Sequence, residues 1–159
     1  MNRLFTGGCD TVIHSYDITN LVEFSDQDGL KEKNKDVKHE KEIMDLLPIP
    51  EMGLIASASL DSNMCLWSMN DLKGKSIHTD HQKGIYSLEW YEDQKLILSA
   101  GLEHDIYIWN PIVKEKIFML KGHNHSMVGV KWLKGTNQVI SADISGMFRI
   151  WDVRTFTTV

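Results

Sequence analysis

An all-β fold made of a repeated four-stranded antiparallel unit is predicted for this 159-residue chain by three observations. His39, His81 and His123 stand 42 residues apart, and each is followed 28 residues later by a tryptophan, Trp67, Trp109 and Trp151. Ten and nine residues before these tryptophans come a serine and an alanine, as Ser57-Ala58, Ser99-Ala100 and Ser141-Ala142. Each tryptophan also closes a short run of alternating apolar and polar residues, the period of a strand. A period of about 40 to 45 residues with this ending marks the blade of a β-propeller.

The same ruler laid on Tyr16 finds Thr6, Gly7 and Asp10 in the corresponding places. Residues 1–22 therefore read as the rear half of a blade. Residues 39–79, 81–121 and 123–159 read as three more, the last with its final strand cut short. The expected whole is a partial propeller over 1–159, about four blades in an incomplete ring. In the third repeat the strands are expected at Ile85 to Trp90, Lys95 to Ala100, Asp105 to Trp109 and Glu115 to Leu120. Turn-prone residues separate the first three, and Asn110-Pro111 precedes the fourth, where proline has no N–H for a ladder. In the second repeat Pro48-Ile49-Pro50 is expected to end the first strand early.

From Tyr16 to Trp67 is 51 residues, so about nine more than the period lie ahead of His39. The segment 23–42 interleaves lysines with acids and reads as a solvated charged loop between blades. Asp26, Asp28 and Gly29 resemble the start of a calcium loop, but lysines occupy positions where such a loop needs oxygen ligands.

Composition narrows the class. A hydrophobic fraction of 42% with 25% charged residues supports a globular core, and no apolar run nears the roughly 20 residues of a membrane span. The opening residues lack the apolar stretch of a secretory signal, so a cytoplasmic location is expected. A net charge of −5 and a pI near 5.8 give no pull toward nucleic acid or anionic membrane, and neither is an expected partner. Cys9 and Cys65 both fall in expected strands and read as small buried apolar residues rather than a disulfide.

Seven histidines invite a metal or catalytic reading. His39, His81 and His123 have a periodic place, while His78 and His125, which form HxxH with His81 and HxH with His123, lack the cysteines or HExxH of a metal site. His14 and His104 read as surface or turn residues. Ser57, Ser99 and Ser141 recur once per repeat, as bracing does and a nucleophile does not. No phosphate loop, dinucleotide fingerprint or GxSxG elbow is present. No catalytic residue, cofactor or metal is expected. Trp90 and Trp132, also 42 apart, read as apolar wedges between blades.

These residues resemble the WD-repeat β-propellers, through Gly122-His123, Ser57-Ala58-Ser59, Ser99-Ala100-Gly101, Asp61 and the closing Trp151-Asp152. The resemblance implies a buried relay of histidine, serine, turn aspartate and tryptophan, which transfers to His39, Ser57, Asp61 and Trp67. Glu103 and Ser145 replace the aspartate in the next two repeats. There the resemblance implies only partial tetrads, His81, Ser99 and Trp109, then His123, Ser141 and Trp151. Asp105 or Asp143 could stand in, each from a different place on its strand. Family rings usually hold about seven blades. The chain is thus expected to be part of a longer protein or assembly, completed by further blades or another copy. The implied function is a non-catalytic scaffold that binds other proteins. The runs GHNHSMVGVKWL and SADISGMFRIWDVR are similar to repeats of ciliary and axonemal members, which implies axonemal or microtubule-associated partners. The alternative is an adaptor that recognises a peptide or modified residue at the central opening, as in ubiquitin or chromatin complexes.

Overall fold

The short alternating runs fold as antiparallel meanders, each strand hydrogen-bonding to the next within its own sheet. The computed structural model describes residues 3–18 and 32–158. Its first sheet holds β1 (Arg3–Gly7), β2 (Val12–Asp17) and β3 (Glu32–Val37). The second holds β4 (Ile43–Ile49), β5 (Leu54–Ser59), β6 (Met64–Ser68) and β7 (Gly74–His78). The third holds β8 (Ile85–Tyr91), β9 (Leu96–Gly101), β10 (Asp105–Asn110) and β11 (Glu115–Lys121). The fourth holds β12 (Met127–Leu133), β13 (Gln138–Asp143), β14 (Phe148–Asp152) and β15 (Thr157–Thr158). The sheets follow one another as propeller blades without closing into a ring.

Alternation along the third strand of each blade decides what it packs against, because successive side chains leave opposite faces of a sheet. Trp67 faces back into the core shared with the first blade, while its neighbour Leu66 faces forward into the core shared with the third. Trp109 and Ile108 divide in the same way between the second and fourth blades. The core is therefore three seams between blades rather than one centre. The first strands β4, β8 and β12 lie side by side across these seams. There Asp45 Oδ2 accepts the Leu88 N–H at 2.7 Å, and Lys131 pairs with Glu89 at 2.5 Å.

Four expectations need correction. The charged segment 23–42 is not loop throughout, since Glu32–Val37 forms β3 on the outer edge of β2. Backbone N–H and C=O groups on that edge need partners whatever side chains the partner strand carries. The extra length consequently lies inside the first blade: 14 residues connect β2 to β3, against 5 from β6 to β7 and 4 from β10 to β11. The calcium-like Asp26, Asp28 and Gly29 lie outside the described residues. Second, β4 runs through Pro48 and ends at Ile49, where a 3-10 turn over Pro50–Met52 begins. Third, Cys9 is exposed in the β1–β2 turn, whereas Cys65 is buried in β6, and both are free. Fourth, His14 belongs to β2 and its ring pairs with Asp10 at 2.8 Å, while His104 does sit in an exposed bend.

Trp132 fills the seam between the third and fourth blades, 5.1 Å from the Tyr91 ring, and Trp90 packs on the preceding seam with its N–H on Glu51 at 2.6 Å. The third-to-fourth strand turns repeat as well. Leu72, Lys114 and Phe156 all adopt left-handed backbone, and each N–H bonds the carbonyl four residues before, at 2.8 to 2.9 Å. Glycine is the usual residue for such geometry, so this recurrence has no sequence signal.

Candidate functional site

In the second, third and fourth blades a histidine on the entering segment, a serine on the second strand and a tryptophan on the third are brought together inside the sheet. In the second blade Trp67 Nε1–H donates to Ser57 Oγ at 2.8 Å, and Ser57 Oγ lies 2.7 Å from His39 Nε2. His39 Nδ1 lies 2.9 Å from Asp61 Oδ2. The inventory of donors sets the tautomer: indole donates to hydroxyl, hydroxyl to Nε2, and Nδ1–H to carboxylate. Every polar atom of the relay is then satisfied while buried.

The third and fourth blades contain the complete relay too, which corrects the expectation of partial tetrads. In the third, Trp109, Ser99 and His81 join at 2.7 Å per link, and His81 Nδ1 reaches Glu103 Oε2 at 3.0 Å. The extra methylene of glutamate spans the gap, and its second oxygen takes the Gln82 N–H at 2.6 Å. In the fourth, Trp151, Ser141 and His123 join at 2.8 Å per link, and His123 Nδ1 meets Asp143 Oδ2 at 2.7 Å. Asp143 ends β13 two residues ahead of the expected place, and Ser145, which occupies that place, hydrogen-bonds to it. Asp105 takes no part in the relay contacts. Among the described residues the first blade forms no relay: Thr6 is exposed, and Asp10 pairs with His14 on the neighbouring strand.

Burial and hydrogen bonding set the protonation of these groups. Burial holds the His81 pKa below its ordinary value, against the opposing pull of Glu103. For Glu103 burial pushes upward, but hydrogen bonds from Tyr107, the Gln82 N–H and His81 outweigh it and keep the carboxyl low. Asp61 is likewise low, burial being outweighed by the N–H groups of Glu40 and Asn63 and by His39. The Ser145 hydrogen bond, with His123 and the Met147 N–H, holds Asp143 well below the carboxylate range.

Serine, histidine and carboxylate in this order have the connectivity of a hydrolase triad. The environment removes the chemistry. Ser57 and Ser99 are 0% exposed and Ser141 2%, and the indole N–H already occupies each oxygen. No substrate carbon can approach these atoms, so the relay braces the blade. His78 is buried beside Trp109 at 5.3 Å and His125 is exposed. Among the described residues no cluster of three metal-ligating side chains forms.

The surface is where the molecule is unsatisfied. Phe148 and Ile150 on β14 are 67% and 38% exposed, whereas Ile106 and Ile108, 42 residues earlier, are 0% exposed under the fourth blade. A second apolar strip runs along β11, the outer strand of the third blade.

Stacked meanders braced by a repeated histidine, serine, carboxylate and tryptophan relay define a β-propeller scaffold protein. Residues 74–110 and 114–152, just under half of the chain, match the family model described as WD domain, G-beta repeat, and the unclosed four-stranded sheets are consistent with a partial WD-repeat propeller. Both matches start at or just before the outer strand of one blade and end with the third strand of the next, β7 to β10 and β11 to β14. Each repeat thus ties two blades together covalently. No curated protein matches the chain.

Proposed function

We propose that the chain is a non-catalytic protein-interaction scaffold whose blade stack is continued by further blades, in the same protein or in a second copy. WD-repeat domains are in general protein-interaction modules, which supports the coarse reading. The observation that carries it is the uncovered face of the fourth blade. Its Val128, Phe148 and Ile150 are exposed where the third blade buries Ile106 and Ile108, and a contiguous apolar surface of this kind marks a contact. The potential catalytic groups, by contrast, are spent on internal hydrogen bonds.

Chemical cross-linking of the full protein in cells, read by mass spectrometry, tests this. Cross-links to other polypeptides, or to further blades, from lysines around the fourth-blade face are expected, and Phe148→Asp should remove them without changing the circular dichroism spectrum. Turnover of any substrate that is lost in Ser57→Ala while the protein stays folded would overturn the non-catalytic reading.

The site of action we propose is the cytoplasm, at the axoneme or another microtubule structure. The similarity of Gly122 to Leu133 and Ser141 to Arg154 to axonemal repeats supports it. Imaging the tagged full-length protein in ciliated cells checks it, and a diffuse signal would count against it.

A further inference from the structure

Outer strands expose one row of backbone N–H and C=O groups, and proteins ordinarily guard such edges with charge or brevity. The outer strands β3 and β7 carry the largely polar sequences EKNKDV and GKSIH. β11 has lysines and a bulge too, but between Lys116 and Lys121 it carries a longer apolar run than they do. It is seven residues long, among the described residues pairs only with β10, and places Ile117-Phe118-Met119-Leu120 in an unbroken apolar run on the edge. Ile117 is 49% and Phe118 41% exposed.

The run lines a groove. Phe118 stacks on Phe156 of the next blade with ring centres 4.2 Å apart, and together with Ile117 and Met119 they form the floor of a 450 Å³ groove. Lys121 and Lys116, the latter also paired with the exposed Asp80 at 3.7 Å, line it as well. Within 114–121 there are three lysines against the single acid Glu115, in a chain whose net charge is −5. A bulge opposite Ile108 and Trp109 leaves Ile117 without a partner on β10, and Ile117 is exposed there.

We propose that β11 is a docking edge for an extended segment of a partner protein that carries alternating apolar and acidic residues and adds as a fifth strand to the third blade. The backbone of the segment pairs with the free edge of β11. Its apolar side chains enter the Phe118–Phe156 groove, and its acids meet Lys116 and Lys121. Main-chain pairing supplies affinity in such an arrangement, and alternate side chains supply selection. The inference rests on the scaffold reading only in taking a protein as the partner.

The probe is a fluorescein-labelled, acetylated heptapeptide of alternating glutamate and valine, titrated into the full chain and followed by fluorescence anisotropy. Saturable binding is expected. Ile117→Lys should weaken it by about tenfold, the worth of one desolvated apolar anchor, and Lys121→Glu should weaken it in a salt-dependent way. The peptide also gives a test that needs no variant: N-methylation of every second amide should abolish binding in one register and spare it in the other. No saturable binding, equal binding by Ile117→Lys, or equal binding of both methylated registers would overturn the proposal. So would a dimer of the chain that Ile117→Lys dissolves, because a second copy would then be the occupant. Cross-links that map to the fourth-blade face while the peptide does not bind would sink this inference and leave the scaffold reading intact.

Discussion

Ser145 donates its hydroxyl to Asp143 Oδ1 at 2.5 Å, and with this contact the fourth blade exchanges the roles that Ser59 and Asp61 play in the second. In the second blade the carboxylate comes later: Asp61 accepts from His39, and its own N–H donates to Ser59 Oγ at 3.1 Å. In the fourth the carboxylate comes first, at the position of Ser59, and the hydroxyl follows at the position of Asp61. Both orders deliver a carboxylate oxygen to histidine Nδ1.

The exchange predicts a double-mutant result. Asp61→Ser should lower the unfolding free energy by about 1–3 kcal/mol, since it strands the His39 Nδ1–H. Adding Ser59→Asp should return at least half of that loss, as the two sites share one network. Urea unfolding of wild type, the two single variants and the double variant checks this. A double variant no more stable than Asp61→Ser alone would show that the exchange is not interchangeable.

Removing the hydroxyl at the centre of a relay strands two groups at once. Ser99→Ala leaves the Trp109 N–H and the His81 Nε2 buried without partners, at a cost of about 1–3 kcal/mol. Chemical denaturation followed by tryptophan fluorescence reads the loss. Peptide binding at β11 should be unaffected in the folded variant.

Acid should weaken the fold in two stages. The folded His81 pKa lies below its unfolded value of 6.5, so the folded state resists the proton that the unfolded state accepts. Stability from this group is complete above about pH 6.5 and is lost as pH falls below it. Glu103 and Asp61, both lowered in the fold, contribute above their unfolded values of 4.5 and 3.8 and lose that contribution as pH falls through their lower folded values. Urea midpoints measured from pH 7.5 to 2.5 should drop in both windows. His81→Gln should be less stable at pH 7.5 yet flatter between pH 7 and 5.5.

The two thiols should react very differently. Burial, with a smaller contribution from the Asp61 charge, pushes the Cys65 thiol up to about 12, whereas Cys9 is exposed. Iodoacetamide at pH 8 should add one label to the native chain, at Cys9, and a second only after unfolding, as intact mass will show. Two labels on the folded protein would place Cys65 within reach of solvent.

Much of the architecture was legible because it is periodic. The strands expected in the third repeat, Ile85 to Trp90 through Glu115 to Leu120, begin and end within one residue of β8 to β11. Alternation and turn residues act locally and leave marks at fixed spacing. Glu103 and Asp143 were harder to place because a carboxylate is recruited by where its oxygen arrives, not by its position in a motif. One added methylene or a two-residue shift reaches the same histidine nitrogen. β3 was hidden for another reason: a strand can be held by the backbone of its neighbour alone, so a run of lysines and acids gives no alternation to read.

The sequence by itself determined the blade and its 42-residue beat, since these depend on residue types at regular separations, and its resemblance to the WD-repeat propellers implied the His39, Ser57, Asp61 and Trp67 brace. Only the tertiary structure decided that Ile106 is buried while Phe148 is exposed, that Phe118 meets Phe156, and that β11 is a free edge. Equivalent positions of a repeat carry the same local code. Whether a side chain is core or surface depends on the blade that stands next to it, and that is a long-range fact.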